Sequence, residues 1–237
     1  MPETWGVEMK NLVILGAGGF AREVAWLVEE INREIPTWNL LGFIDQNETK
    51  WGIVLDGYPV LGGFETVINS PNGSDLNTVC AVGDPLSKKS LVERARIAGF
   101  TFVNLIHPNV CMSNQIRMGV GNIICAGNTL TVNIEIGNHV IINLACTVGH
   151  DCKIGDYSTA APGANISGNV TIEDGCDLGT GFSIIQGLRI GAWTVVGAGA
   201  VVTCDIPAHC TAVGVPAKPI KFHDQDERSK KLLHRDL

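Results

Sequence analysis

The pair with the plainest capacity for chemistry is His150-Asp151. A carboxylate beside an imidazole can set which ring nitrogen holds the proton and raise the basicity of the other, which is what a general base needs. Gly168 follows one coil later in the repeat described below, within Ser167-Gly168-Asn169, and a bare glycine above an imidazole is expected to leave room for a ligand. Asn143 in the preceding hexad adds a second polar group. His139, beside polar Asn138 in a bend, reads as a solvated turn residue, and its spacing from His150 puts the two on different corners, so no metal site is expected. A second constellation lies near the start, where Gly16, Gly18 and Ala21 form G-x-G-x-x-A after the apolar run Leu12 to Leu15. Glycines so placed let the backbone approach a phosphate at a helix N-terminus. Alone the motif is weak: a mononucleotide-linked ligand, a dinucleotide with Asp45 on its ribose, and a purely structural turn all remain open.

The elements that must hold these groups differ between the two halves. From Met112, every sixth residue up to Val202 is apolar without exception, sixteen positions in all. In a chain that is 45% hydrophobic this has a chance of roughly three in a million. Glycine often follows the aliphatic, and turn formers such as Asp174-Gly175 and Gly168-Asn169 come next, so each hexad is a short strand and a tight bend. Hexapeptide repeats of this kind build a parallel β-helix of three-sided coils, with Met118, Ile136, Ile154, Ile172 and Ile190 as one interior column. Cys146, Cys152 and Cys176 fall on a second inward register and read as small core hydrophobes.

The front part alternates instead. Strands are expected at Leu12 to Leu15, Leu40 to Ile44, Thr78 to Val82 and Phe102 to Ile106, with helices at Ala21 to Glu34 and Ser87 to Ala98. Such alternation gives a parallel sheet with its ligand at the carboxyl ends of the strands. The expected organisation is a Rossmann-like half domain over residues 1–107, a β-helix over 108–220 and a charged tail over 221–237, read as a short exposed helix. A formal charge of -7 argues against nucleic acid. No apolar run is long enough for a membrane helix and the start lacks a secretory leader, so a cytoplasmic protein with reduced thiols is expected.

The blocks GAGGFAREV (Gly16 to Val24), LGFIDQN (Leu41 to Asn47), NLACTVGHDCKIGDY (Asn143 to Tyr157) and VGVPAK (Val213 to Lys218) resemble the bacterial acyltransferases of nucleotide-linked amino sugars or sialic acid, notably the bacillosamine-type N-acetyltransferases. The resemblance implies a left-handed β-helix, a homotrimer, and acetyl-CoA bound between adjacent subunits. It implies His150 as general base, Asp151 as its support and Asn143 as a sugar-contacting amide. Gly168 and Thr180 align with acetyl-CoA contacts, Gly18, Gly19 and Phe20 with the phosphate loop of the sugar nucleotide, and Asp45 and Gln46 with the pair near its base. The chain departs from the family at Thr159, where a second histidine stands near the thioester, at Phe20, where histidine is common, and at Gln46, where a second acid is common. The implied activity is acetyl transfer to the 4-amino group of a nucleotide-linked deoxy sugar. O-acetylation of a sialic acid or another sugar hydroxyl and a non-enzymatic sugar-nucleotide scaffold are the alternatives.

Overall fold

The computed structural model describes residues 9–69 and 76–224, so most of the expected tail helix lies outside the described residues. The chain begins with an α/β unit: β1 (Lys10–Leu15), α1 (Gly19–Glu34), β2 (Trp38–Ile44), β3 (Val54–Leu55), β4 (Tyr58–Gly62), α2 (Phe64–Ile68), β5 (Asn77–Cys80), α3 (Pro85–Ile97) and β6 (Thr101–Phe102). The strands lie in the order β3-β4-β2-β1-β5-β6, parallel except that β3 runs against β4. α1 buries Ala21, Val24, Ala25, Leu27 and Val28, the stripe that its three-to-four spacing dictates. α3 opens with Asp84, whose carboxylate accepts from Ser87 N at 2.8 Å, followed by Pro85 at its first position. The chain leaves β1 for β2 on one side and returns to β5 on the other. The crevice suited to a ligand is therefore at the carboxyl ends of β1 and β5.

The strand expected over Phe102 to Ile106 is two. Thr101–Phe102 closes the α/β sheet, and Leu105–Ile106 is the first rung of the β-helix, paired with Ile123–Ile124. From there the backbone forms a three-sided prism of two-residue strands, each paired with the strand one coil away. Three sheets result, here called the first face (strands such as Ile123–Ile124, Ile141–Ile142 and Thr159–Ala160), the second face (Thr129–Leu130, Thr147–Val148, Asn165–Ile166) and the third face (Glu135–Ile136, Lys153–Ile154, Thr171–Ile172). The repeat aliphatics from Ile124 to Val202 are all buried, and Cys146, Cys152 and Cys176 are fully enclosed among them. After Val202 the hexads give out; Cys210–Val213 adds a last parallel rung and then pairs antiparallel with Lys218–Phe222.

The outer sides of the three faces differ, and that difference positions everything else. Ile123 and Ile141 on the first face are buried in one cluster with Ala21, Val24, Leu27 and Val28 of α1, so the α/β unit lies on this face. The third face carries an exposed ladder in which Arg117 and Lys153 flank Glu135 at 2.6 and 3.7 Å. The second face presents Thr129, Thr147, Asn165 and Ser183, small and uncharged, with Thr147 Oγ1 donating to Asn165 Oδ1 at 3.0 Å.

Candidate active site

His150 and Asp151 occupy the turn between the second and third faces, after Thr147–Val148 and before Lys153–Ile154. Asp151 takes a left-handed φ of 60°, a conformation aspartate tolerates. His150 Nδ1 lies 2.8 Å from Asp151 Oδ2, and Asn133 Nδ2 donates to the other carboxylate oxygen at 3.3 Å. The hydrogen bond from His150, and next that from Asn133, hold the Asp151 carboxyl below its ordinary range. With the carboxylate ionised, the ring proton belongs on Nδ1 and the lone pair on Nε2. Both side chains are about half exposed, 55% and 52%.

Gly168 lies under that imidazole, one coil on. A Cβ at Gly168 would stand 2.4 Å from His150 Nε2. This corrects the expectation of free space above the ring: the glycine is needed because the ring itself fills that space. Asn143 is also not beside the dyad. It sits at the turn between the first and second faces, its Oδ1 accepting from Leu144 N at 2.7 Å, and Thr180 sits on the same turn two coils later. Between the two vertices, the second face holds a shallow groove of about 180 Å³ lined by Thr129, Thr147, Gly149, Asn165 and Ser167.

The glycine loop forms a separate site. Gly16 has φ 100°, and a Cβ there would stand 3.3 Å from Val82 Cγ2 and 3.4 Å from Ala81 O of the loop after β5, so its role is structural. Gly18 and Gly19 are different, because a Cβ at either would meet nothing within 4 Å. Asp45 accepts from Ala17 N at 3.1 Å, from Asn47 N at 2.9 Å and from Lys50 Nζ at 2.7 Å, so it fixes the loop's entry. Phe20 packs into the cluster that also contains Leu144. Gln46 points elsewhere: its Oε1 accepts from Arg94 Nη2 at 3.1 Å, beside a groove of about 630 Å³ between α2 and α3 that Trp51 and Phe64 also line.

His139 corrects its sequence reading. It is only 4% exposed, stacked on Tyr157 at 5.4 Å and edge-on to Phe102 at 4.6 Å, because β6 folds over this vertex of the prism. Burial first, then the charge of Lys88, pushes its pKa down to about 4 from 6.5. The unfolded chain therefore takes up this proton at higher pH than the folded one, so stability falls as pH drops from 6.5 towards 4. Urea unfolding at pH 6.5 and pH 5 is expected to show that loss in the parent and a clearly smaller one in His139→Phe.

A parallel β-helix of hexads joined to a parallel α/β sheet, with an exposed His-Asp pair on a prism vertex, is the architecture of the hexapeptide-repeat acetyltransferases. Residues 11–95 match the model of the PglD N-terminal domain. The chain is 34% identical over 214 residues to GDP-perosamine N-acetyltransferase of Escherichia coli O157:H7, covering 88% of this chain and 95% of the relative. Its fold is similar to the acetyltransferase domain of PglB from Neisseria gonorrhoeae FA1090, solved with acetyl coenzyme A (TM-score 0.80, 32% identity, 90% of this chain and 100% of that one). It is equally similar to PerB from Caulobacter crescentus, solved with CoA and GDP-perosamine (TM-score 0.80, 32% identity, 90% and 99%). The chain belongs to this family of bacterial sugar acetyltransferases and is itself an acetyltransferase. Among the described residues no helix is long and apolar enough to cross a membrane.

Proposed function

We propose that the protein transfers the acetyl group of acetyl-CoA to the 4-amino group of a nucleotide-linked amino-deoxy sugar, with His150 as general base. The observation that carries this reading is the His150 imidazole itself, with Nδ1 2.8 Å from Asp151 Oδ2 and Nε2 over Gly168 at the rim of an uncharged face. The amine nitrogen attacks the thioester carbonyl and gives up its proton to Nε2 as the C–N bond forms. The C–S bond then breaks, and the departing thiolate takes that proton back from the imidazolium. Asp151 stabilises the imidazolium in between. Acetyl-CoA is assigned to the edge of the second face, where Gly168 and Thr180 mark its two vertices, and the bound ligands of PglB and PerB support it as the donor. The sugar nucleotide is assigned to the α/β unit, its diphosphate over Gly18 and Gly19, with Phe20 and Asp45 beside the loop and Asn143 towards the sugar; Gln46, held by Arg94, is left out of this assignment.

We infer a homotrimer, as the family resemblance implies, and the placement of these groups supports it. The α/β unit of a chain covers the first face, whereas His150 is on the vertex between the second and third, opposite to it. In this reading the base that serves a chain's sugar-binding loop comes from a neighbour. A neighbour seated on the neutral second face can supply it, while the charged ladder of the third face stays in water, and three such contacts related by a threefold axis would close a ring. Light scattering is expected to give the mass of three chains; a monomer active in the assay would exclude this arrangement.

The test of function is thiol release from acetyl-CoA with a panel of UDP-, GDP- and dTDP-linked 4-amino sugars and their 4-hydroxyl counterparts. Turnover confined to amines is the expected result, and turnover confined to hydroxyls would replace N-transfer by O-transfer. Gly168→Ala gives an independent check. Its methyl would displace only an exposed imidazole, so a folded protein with kcat lowered at least tenfold is expected.

A further inference from the structure

Lys88 is fully buried, which lysine almost never is, and it sits in the first turn of α3 on the same stripe as Val92 and Ala95. Its Nζ donates to Thr159 Oγ1 at 2.7 Å and to Ser158 O at 3.2 Å, across the seam between the α/β unit and the β-helix. The Thr159 hydroxyl passes the contact on, donating to Gly83 O at 2.7 Å. Gly83 belongs to the loop after β5, whose Ala81 and Val82 pack against Gly16. A Cβ at Gly83 would meet nothing within 4 Å, as at Gly18 and Gly19, so backbone faces open space on both loops of the crevice. Burial depresses the Lys88 pKa to about 7, with the nearby Cys80, Asp177 and Asp84 opposing that shift. An apolar side chain would fill the seam without that desolvation cost, so stability alone does not account for an amine here.

We propose that Lys88 is a positioning residue: through Thr159 it holds Gly83, the second wall of the crevice for the sugar nucleotide's diphosphate, at a fixed place against the β-helix. This rests on the assignment of the diphosphate to the glycine loop. It also gives Thr159 a role distinct from that of the histidine that the family resemblance implies at this position. The 159 side chain faces the α/β unit of its own chain, not the His150 vertex.

The experiment is steady-state kinetics of Thr159→Val, Thr159→Ser and Lys88→Met, each first checked for trimer mass and thermal midpoint. Loss of the relay in Thr159→Val and Lys88→Met is expected to raise KM for the sugar nucleotide about tenfold, while KM for acetyl-CoA and kcat stay within about twofold. Thr159→Ser, which keeps the hydroxyl, should restore the parent KM. An unchanged sugar-nucleotide KM in Thr159→Val, an equal rise for both substrates, or failure of serine to rescue overturns the proposal. Should Lys88→Met not fold, the valine and serine variants decide alone. Gly18→Val, run alongside, separates the two readings: if it raises the sugar-nucleotide KM and Thr159→Val does not, the positioning role falls and the diphosphate assignment stands.

Discussion

His150→Ala is expected to lower kcat by about 10² to 10⁴, the usual worth of a positioned general base, with little change in stability. The side chain is half exposed and held only at its edge by Asp151 and Gly168, so truncation leaves no cavity in the core. Asp151→Asn should cost less. Asparagine tolerates the left-handed backbone at this position and keeps one oxygen that can accept from Nδ1–H, while the charge that stabilises the imidazolium is lost. Thiol release at saturating concentrations of both substrates measures the two losses. A kcat near the parent value in His150→Ala would mean that the proton leaves by another route and that the vertex is not the active site.

Gly18→Val is expected to weaken sugar-nucleotide binding by about 10- to 100-fold, which corresponds to one or two hydrogen bonds to a charged group. Binding of acetyl-CoA should be unaffected. The selectivity follows from the geometry: Gly18 has an ordinary φ of -102° and open space where a side chain would go, so the chain itself does not feel the valine. Only a diphosphate lying on the loop would. Gly16 would be a poor probe, because its φ of 100° and its contact with the loop after β5 make any substitution there a folding defect. Titration calorimetry with a nucleoside diphosphate and with CoA separates the two affinities, and equal loss of both would indicate misfolding.

Much of this was legible before any coordinates, because a hexad repeat states its own geometry. Inward and outward positions, coil length and the vertex of His150 all follow from counting by six, and the interior columns from Ile124 to Val202 are where that count puts them. What could not be counted is what the two halves do to each other. His139 has the local signature of a solvated bend, yet Phe102 from another segment covers it. Thr159 stands out in the sequence only as a departure from the family's histidine, and only packing shows that it meets Lys88. The one available hint was a lysine on the apolar stripe of a helix, in register with Val92 and Ala95. Strand β4 carries no alternating signal because Pro59 within it, Gly62 at its end and Gly57 before it interrupt any period. Gln46, read with Asp45 as one unit, diverges from it because Arg94 on α3 captures its amide oxygen.

The uniform pairing of each rung with the rung one coil away also constrains how such a chain can change length over generations. Insertion or loss of a whole coil leaves every later residue on its original face, so the prism can grow or shrink like a stack of identical rings. Insertion of a single hexad ahead of Asn143 would keep the interior filled and yet turn the rest of the prism by one face. His150 would then move from the vertex opposite its α/β unit to a vertex bordering it. The fold would survive this and the shared site between neighbours would not, so a lineage of these enzymes should tolerate length changes in threes of hexads and purge the others.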